Sequence, residues 1–418
     1  MTASRPSLQL ATTLAYAKGG YSTALSLGSG ECPLNVLLDT GSSTLAVTPG
    51  RYAPQQDSRL KATALAQQVT YGKGAWAGPV LQTQVGFGQG EHARRIDDAA
   101  FAFVETDSRS FFRDADGILG LAYRHLNPAH DMSTPLRRQG REPALTWPWP
   151  YTLGDAAAQS AFKQELLQQP RVTLPPLFQA LAQEGLVADV FALQIQRAVV
   201  HVLDDAATAG SLARDPLNQG VLVVGGGEEC QSLYHGALQD IRIVHDLYYN
   251  ANLISVQVGD QAPIAAAALA PADVAGYASN AIIDTGSSFI VLENALYQAV
   301  VAGIAAHDAR LPGLIDAFRQ RFQNEHGLAN AAIDVADWPA LHFRLESCSG
   351  GEVCLRCEPS HYWQRNAFRA GESLFLLLPQ LPQWPNQSIL GLPLLSGRYC
   401  IFDRRDHATG RVRVAAAR

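Results

Sequence analysis

The sequence is short of charge, lysine, cysteine and long apolar runs, and each shortage excludes something. Charged residues make up 17% of the 418, against 47% hydrophobic. A disordered chain needs the opposite balance, so a folded core is expected. Lysine occurs only as Lys18, Lys61, Lys73 and Lys163, and the net charge is −6. No broad basic surface is therefore available to hold nucleic acid or anionic lipid. No apolar run approaches the roughly 18–20 residues of a membrane span; stretches such as 265–270 and 374–378 are far too short. Residues 8–17 follow Arg5 and end in an A-x-A pattern, but Gln9, Thr12 and Thr13 interrupt the apolar region that a signal peptide requires. An uncleaved N-terminal strand is expected there. The six cysteines are too few for a disulfide scaffold. Cys348, Cys354 and Cys357, followed by His361, offer four zinc ligands, yet the first gap is longer than structural zinc sites usually have. A hairpin disulfide or free thiols rank ahead of zinc.

What is abundant is turn chemistry. With 35 glycines and 23 prolines, short strands broken by turns are the expected texture. Strands are predicted at 21–27, 36–38, 80–87, 99–104, 191–195, 221–224, 253–258, 281–283, 341–345 and 399–402. Helices are predicted at 155–168, 176–184, 295–307 and 314–325. The stretch 124–170, rich in Pro, Arg and Gln, reads as an insertion, and a segment of that length is usually functional or mobile.

The strongest feature is an internal repeat. Residues 36–47 read VLLDTGSSTLAV and residues 281–292 read AIIDTGSSFIVL. Each is followed later by a second shared element, Gly117-Ile118-Leu119-Gly120 and Ser388-Ile389-Leu390-Gly391. The spacing is that of a duplicated domain, not of a solenoid.

An Asp after an apolar strand is costly unless its charge is compensated. Thr and Ser supply hydroxyl donors, and Gly lets backbone N–H groups come close. One such site could be a structural turn. Two identical sites in two halves suggest carboxylates brought together by a pseudo-two-fold axis. Such a pair shares one proton over a useful pH range, so one carboxylate can take a proton from water while the other polarises a carbonyl.

On these residues the chain resembles the pepsin family of aspartic proteases. Residues 21–43 match its first strands and first active-site loop. Residues 69–78 (VTYGKGAWAG) resemble its flap hairpin, and 116–123 (DGILGLAY) and 388–403 match the motifs supporting the two Asp loops. Residues 176–195 resemble the helix and strand that end its first lobe, and 221–236 a later Gly-rich segment. The resemblance covers nearly everything except 124–170. It implies an all-β, two-lobed fold with pseudo-two-fold symmetry and a few short helices. The lobes are expected at 1–204 and 205–418.

By the same resemblance, Asp39 and Asp284 hold the attacking water. Ser42 and Ser287 bond the outer carboxylate oxygens, and Gly41 and Gly286 donate backbone N–H groups. Tyr71, Gly72 and Lys73 lie over an extended peptide that binds as an added strand. Phe111, Phe112 and Ile118 are candidates for the apolar pocket beside the scissile bond. The expected activity is acid-favoured endopeptidase cleavage beside apolar residues, without metal or other cofactor. It is open to statine-type inhibitors such as pepstatin, in a monomer. The alternative is a pepsin-fold protein that binds or inhibits without catalysis.

Departures from the family pattern carry information. A Trp that usually follows the first Asp loop and bonds the flap tyrosine is replaced by Ala46, while Trp76 sits in the flap. Leu392 replaces the usual Asp after the second ILG. Only 38 residues precede Asp39, which resembles the bacterial pepsin homologues of the shewasin type. Activity without an inhibitory prosegment and a cytoplasmic location are the matching expectations. Other chemistries find no footing. There is no G-x-S-x-G or H-E-x-x-H, and the glycine-rich stretches 86–90 and 225–227 lack a phosphate-loop Lys.

Overall fold

The computed structural model describes residues 6–71, 74–88, 90–107, 112, 114–276, 278–334, 338–382, 384–405 and 409–418, with Tyr71 and Glu91 as backbone only. The chain forms two compact units, Ser22–Val187 and Pro6–Tyr21 with Ala188–Arg418. Strands dominate both, and no helix among the described residues is longer than 12 residues. None is long and apolar enough to cross a membrane.

In the first unit, strand Cys32–Asp39 runs antiparallel to Ser22–Leu27 and parallel to Gly117–Gly120. Inward residues Leu34, Val36 and Leu38 are buried and alternate with less buried ones, the period expected of a pleated strand. Leu45–Val47 lies antiparallel on the other side of Gly117–Gly120. Strands Lys61–Tyr71 and Gly74–Phe87 form a long hairpin, and Arg94–Phe103 pairs with the outer part of its second strand. The segment 124–170 is structured. It holds a strand, Pro128–Asp131, and two helices, Ser133–Arg138 and Ala156–Leu167. Asp155 caps the second helix by accepting from the Ala158 amide at 2.8 Å.

The second unit is built on antiparallel strands in the order Leu8–Thr13, Gln219–Val224, Val190–Ile195, Arg398–Asp403, Arg411–Ala417, Tyr234–Asp246. All six residues of Val190–Ile195 are buried, as a central strand requires. This strand resembled the end of the first lobe in sequence. Its partners Gln219–Val224 and Arg398–Asp403 instead bind it into the second unit, so the units part at Val187/Ala188 and not near 205.

A separate four-stranded sheet, ordered Ile264–Ala265, Leu253–Val258, Leu341–Glu346, Glu352–Cys357, and a three-stranded one, ordered Leu328–Ala329, Glu372–Phe375, Trp363–Arg365, also belong to this unit. Helix Asn294–Ala305 buries Leu296, Tyr297, Val300 and Ile304, the positions that share one helical face. Its first turn is capped by Glu293, which accepts from the amides of Ala295 and Leu296.

The cysteine cluster is explained by strand alternation. In Glu352–Cys357 every second residue is buried, so Cys354 faces out and Cys357 faces in. Two ligands three residues apart on a strand point to opposite faces and cannot share a metal ion. All six cysteines are free thiols, and among the described residues no group of three or more His, Cys, Asp or Glu could hold a metal.

Candidate active site

Both DTGSS segments leave a strand end and double back beside the ILG strand. In the first unit, Val36–Asp39 pairs in parallel register with Gly117–Gly120, and Leu45–Val47 returns antiparallel along the other edge of the same strand. In the second, Ala281–Ile283 pairs in parallel with Ser388–Leu390, and Ile290 and Val291 return along it antiparallel. The Asp loop is therefore the bend between two strands that flank a third.

Glycine is obligatory at the end of each supporting strand. A Cβ on Gly120 would stand 2.4 Å from backbone atoms of Ser43 and Thr44. One on Gly391 would stand 2.2 Å from the Phe289 carbonyl oxygen and 2.5 Å from that of Ser287. Neither gap admits a side chain. The loop backbone is held through the Leu121 amide to the Asp39 carbonyl at 2.7 Å and the Ala122 amide to the Ser42 carbonyl at 2.8 Å. In the other unit the Leu392 amide donates to the Ser287 carbonyl at 2.9 Å.

Each carboxylate sits in the same backbone cradle. The Gly41 amide donates to Oδ1 of Asp39 at 2.7 Å, and the Gly286 amide donates to Oδ1 of Asp284 at 2.8 Å. Asp39 is buried and Asp284 half-buried. The hydroxyls differ. Ser42 Oγ donates to Asp39 Oδ2, as expected. Ser287 Oγ instead donates to the Phe289 carbonyl at 2.8 Å, which corrects its expected bond to Asp284. A backbone acceptor two residues on has captured the hydroxyl.

The remaining candidates divide. Ile118 has no exposed surface and Phe112 is buried, both in one apolar cluster with Ala46, Trp76, Ala102 and Val104. They are core residues of the first unit. Trp76 occupies the neighbourhood of Ala46, and its indole Nε1 is buried with no hydrogen-bond partner among the described residues. The Tyr71 backbone pairs with Gly74 at the end of the hairpin. Its side chain, Gly72, Lys73 and Phe111 lie outside the described residues.

Sequence reasoning missed Asn127. Its Oδ1 accepts from Thr44 Oγ1 and from Gln67 Nε2, each at 2.8 Å, tying the Asp39 loop to the hairpin. No motif marks it.

The sequence pattern of the family described as "Eukaryotic aspartyl protease" matches residues 20–138 and 180–417. The chain belongs to this aspartyl protease family. The part between the matched regions falls largely within the structured insertion. Similar relatives include a beta-secretase from Strongylocentrotus purpuratus, 23% identical over 413 residues, which covers 94% of this chain and 66% of that protein. A vacuolar aspartic protease from Candida albicans is 24% identical over 302 residues, covering 70% of this chain and 55% of that protein. The chain thus spans under two thirds of the length of these curated relatives.

Proposed function

We propose that this aspartyl protease family member is an endopeptidase that hydrolyses extended polypeptides with a water activated between Asp39 and Asp284. What carries the reading is the duplicated cradle, in which each carboxylate Oδ1 receives the amide of the glycine two residues on, at 2.7 and 2.8 Å. Amide donors of this kind favour the ionised form. One ionised carboxylate takes a proton from water as it attacks the scissile carbonyl. The other, protonated, hydrogen-bonds the carbonyl oxygen and stabilises the charge that develops there. The proton then passes to the leaving amine. Because the pair works with a single shared proton, activity is favoured in acid.

Peptide adds as a strand beneath the hairpin tip, with Tyr71, Gly72 and Lys73 over it and apolar side chains at the scissile bond. Ser42 tunes Asp39 directly, whereas Ser287 shapes its own loop. Ile118 and Phe112 serve this site through packing.

The test is digestion of an unfolded protein from strongly acid to neutral pH. Wild type, Asp39→Ala and Asp284→Ala are compared, with and without pepstatin, and products are read by mass spectrometry. Either substitution is expected to lower the rate by about 10²–10⁴-fold. Pepstatin is expected to silence the wild type. Folded wild type that cleaves nothing, yet holds a partner equally well after Asp39→Ala, would move the reading to a binding protein.

A further inference from the structure

The first unit carries the segment 124–170, of which the family pattern leaves 139–170 unmatched, and it is packed against the hairpin. Strand Lys61–Tyr71 pairs with Gly74–Phe87 through Lys61↔Gln82 and Ala62↔Leu81, then loses register until Ala66↔Pro79. At this break the backbone bonds to the insertion instead. The Thr146 amide donates to the Thr63 carbonyl at 2.9 Å, and the Thr146 hydroxyl lies 2.9 and 2.8 Å from the carbonyl oxygens of Thr63 and Leu65. The Met132 amide donates to the Ala64 carbonyl at 2.9 Å. His130 and Asp131 pair with Ala66 and Leu65. These carbonyls would otherwise have to find water.

An apolar pad backs the bonds. Ala66 and Ala77, one from each strand of the hairpin, are buried with Met132, Leu136, Phe162 and Leu166 of the insertion. Nearer the tip, Lys163 Nζ approaches Thr70 Oγ1 at 3.4 Å. The remaining link is Asn127. Gln67, 1% exposed, donates to Asn127 Oδ1 and to the Pro128 carbonyl at 3.0 Å, while the same Oδ1 accepts from Thr44 in the Asp39 loop. One buried oxygen therefore registers the hairpin stem against the catalytic loop. Buried polar links of this kind specify geometry because an unmade bond there is expensive.

We propose that the segment 124–170 is a brace that sets the height of the hairpin over the Asp39 loop, with Asn127 as its positioning residue. The proposal rests on the endopeptidase reading for its catalytic consequence, since a hairpin held at a fixed height offers a ready strand to peptide. Ordering the hairpin in advance lowers the cost of binding and so acts on KM. Asn127 is buried, so it acts through the hairpin and not on the reacting atoms, and kcat is left nearly unchanged.

The experiment compares full-length wild type, Asn127→Ala, Asn127→Asp and Lys163→Met by amide hydrogen exchange and by kinetics on one peptide substrate. Asn127→Asp retains an acceptor for both donors, and Lys163 is exposed, so that variant disturbs no core. Asn127→Ala is expected to speed exchange in 66–79 about tenfold, with the second unit unchanged, and to raise KM about tenfold with kcat within about twofold. Asn127→Asp is expected to restore both. Lys163→Met is expected to speed exchange only near the tip. If Asn127→Ala does not fold, Lys163→Met decides the matter by the same two readings. Unchanged hairpin exchange, acceleration spread evenly over the whole chain, or a fall in kcat alone overturns the brace. If wild type cleaves no peptide, the endopeptidase reading fails separately and hydrogen exchange alone judges the brace.

Discussion

The hydroxyl of Ser42 donates to Oδ2 of Asp39, three residues back along the same loop. Its counterpart Ser287 sits in an identical pentapeptide yet donates to the Phe289 carbonyl at 2.8 Å. A hydrogen bond to a carboxylate favours the charged form, so removing it raises that group's pKa. Ser42→Ala is therefore expected to move the acid limb of kcat/KM upward by roughly one pH unit, the equivalent of one charge-assisted bond. Ser287→Ala is expected to leave that limb in place and to lower thermal stability. Matched pH–rate profiles decide the point, and equal shifts in the two variants would remove the asymmetry.

Asp57 tests the same logic in stability. Burial pushes its carboxyl up, but hydrogen bonds from Thr83, Tyr52 and the amides of Ser29 and Arg59 outweigh burial and hold it well below the usual range. A carboxylate depressed by folding contributes stability that is present above its unfolded pKa and lost as pH falls through the folded one. Asp57→Asn should then be less stable than wild type at neutral pH by about 1–3 kcal/mol. The gap should close as pH falls below about 4, where Asp57 of the unfolded wild-type chain takes up a proton that the folded carboxylate still refuses. Urea unfolding of both proteins at neutral and strongly acid pH measures it. A gap that stays constant with pH would mean that the charge of Asp57 is not what the four donors hold.

The parts legible in the sequence are those whose chemistry is contiguous. Asp39, Gly41 and Ser42 act within one turn of chain, so their repeat at 284–287 announced both loops. Gly120 and Gly391 were visible for a similar reason, because no other residue fits between the loop backbones. The predicted strands at 253–258 and 281–283 match the observed ones residue for residue, since alternation and apolar runs mark them locally. What was not legible depends on residues far apart. Thr146 meets Thr63 across 83 positions, and Asn127 meets Gln67 across 60. Thr and Asn are ordinary loop residues, and nothing local says which carbonyl or amide they will find. The assignment of 190–195 likewise hung on which strands it would pair with. Ser287 shows the limit within a motif: the same five residues orient a hydroxyl differently because a neighbouring carbonyl competes for it.

His361 makes acid the weak side of the second unit. It follows Pro359 in the short helix Pro359–Tyr362, is mostly buried, and its Nδ1 has no hydrogen-bond partner among the described residues. Burial, with a further push from the Arg398 cation and only partial relief from Glu358, lowers its pKa to about 4. The unfolded chain takes up that proton near pH 6.5, well before the folded one does. The imidazole therefore costs no stability above about pH 6.5, and stability drains away as pH falls from there to about 4, by about 3 kcal/mol. His361→Gln abolishes the titration and should flatten this part of the stability curve, which unfolding midpoints taken across the range would show. Parallel curves for the two proteins would sink the assignment. The consequence for catalysis is specific. If the proposed dyad works with a shared proton it favours low pH, while His361 penalises it, so prolonged acid incubation should end activity by unfolding. His361→Gln should then extend the active range on the acid side without changing initial rates near neutral pH.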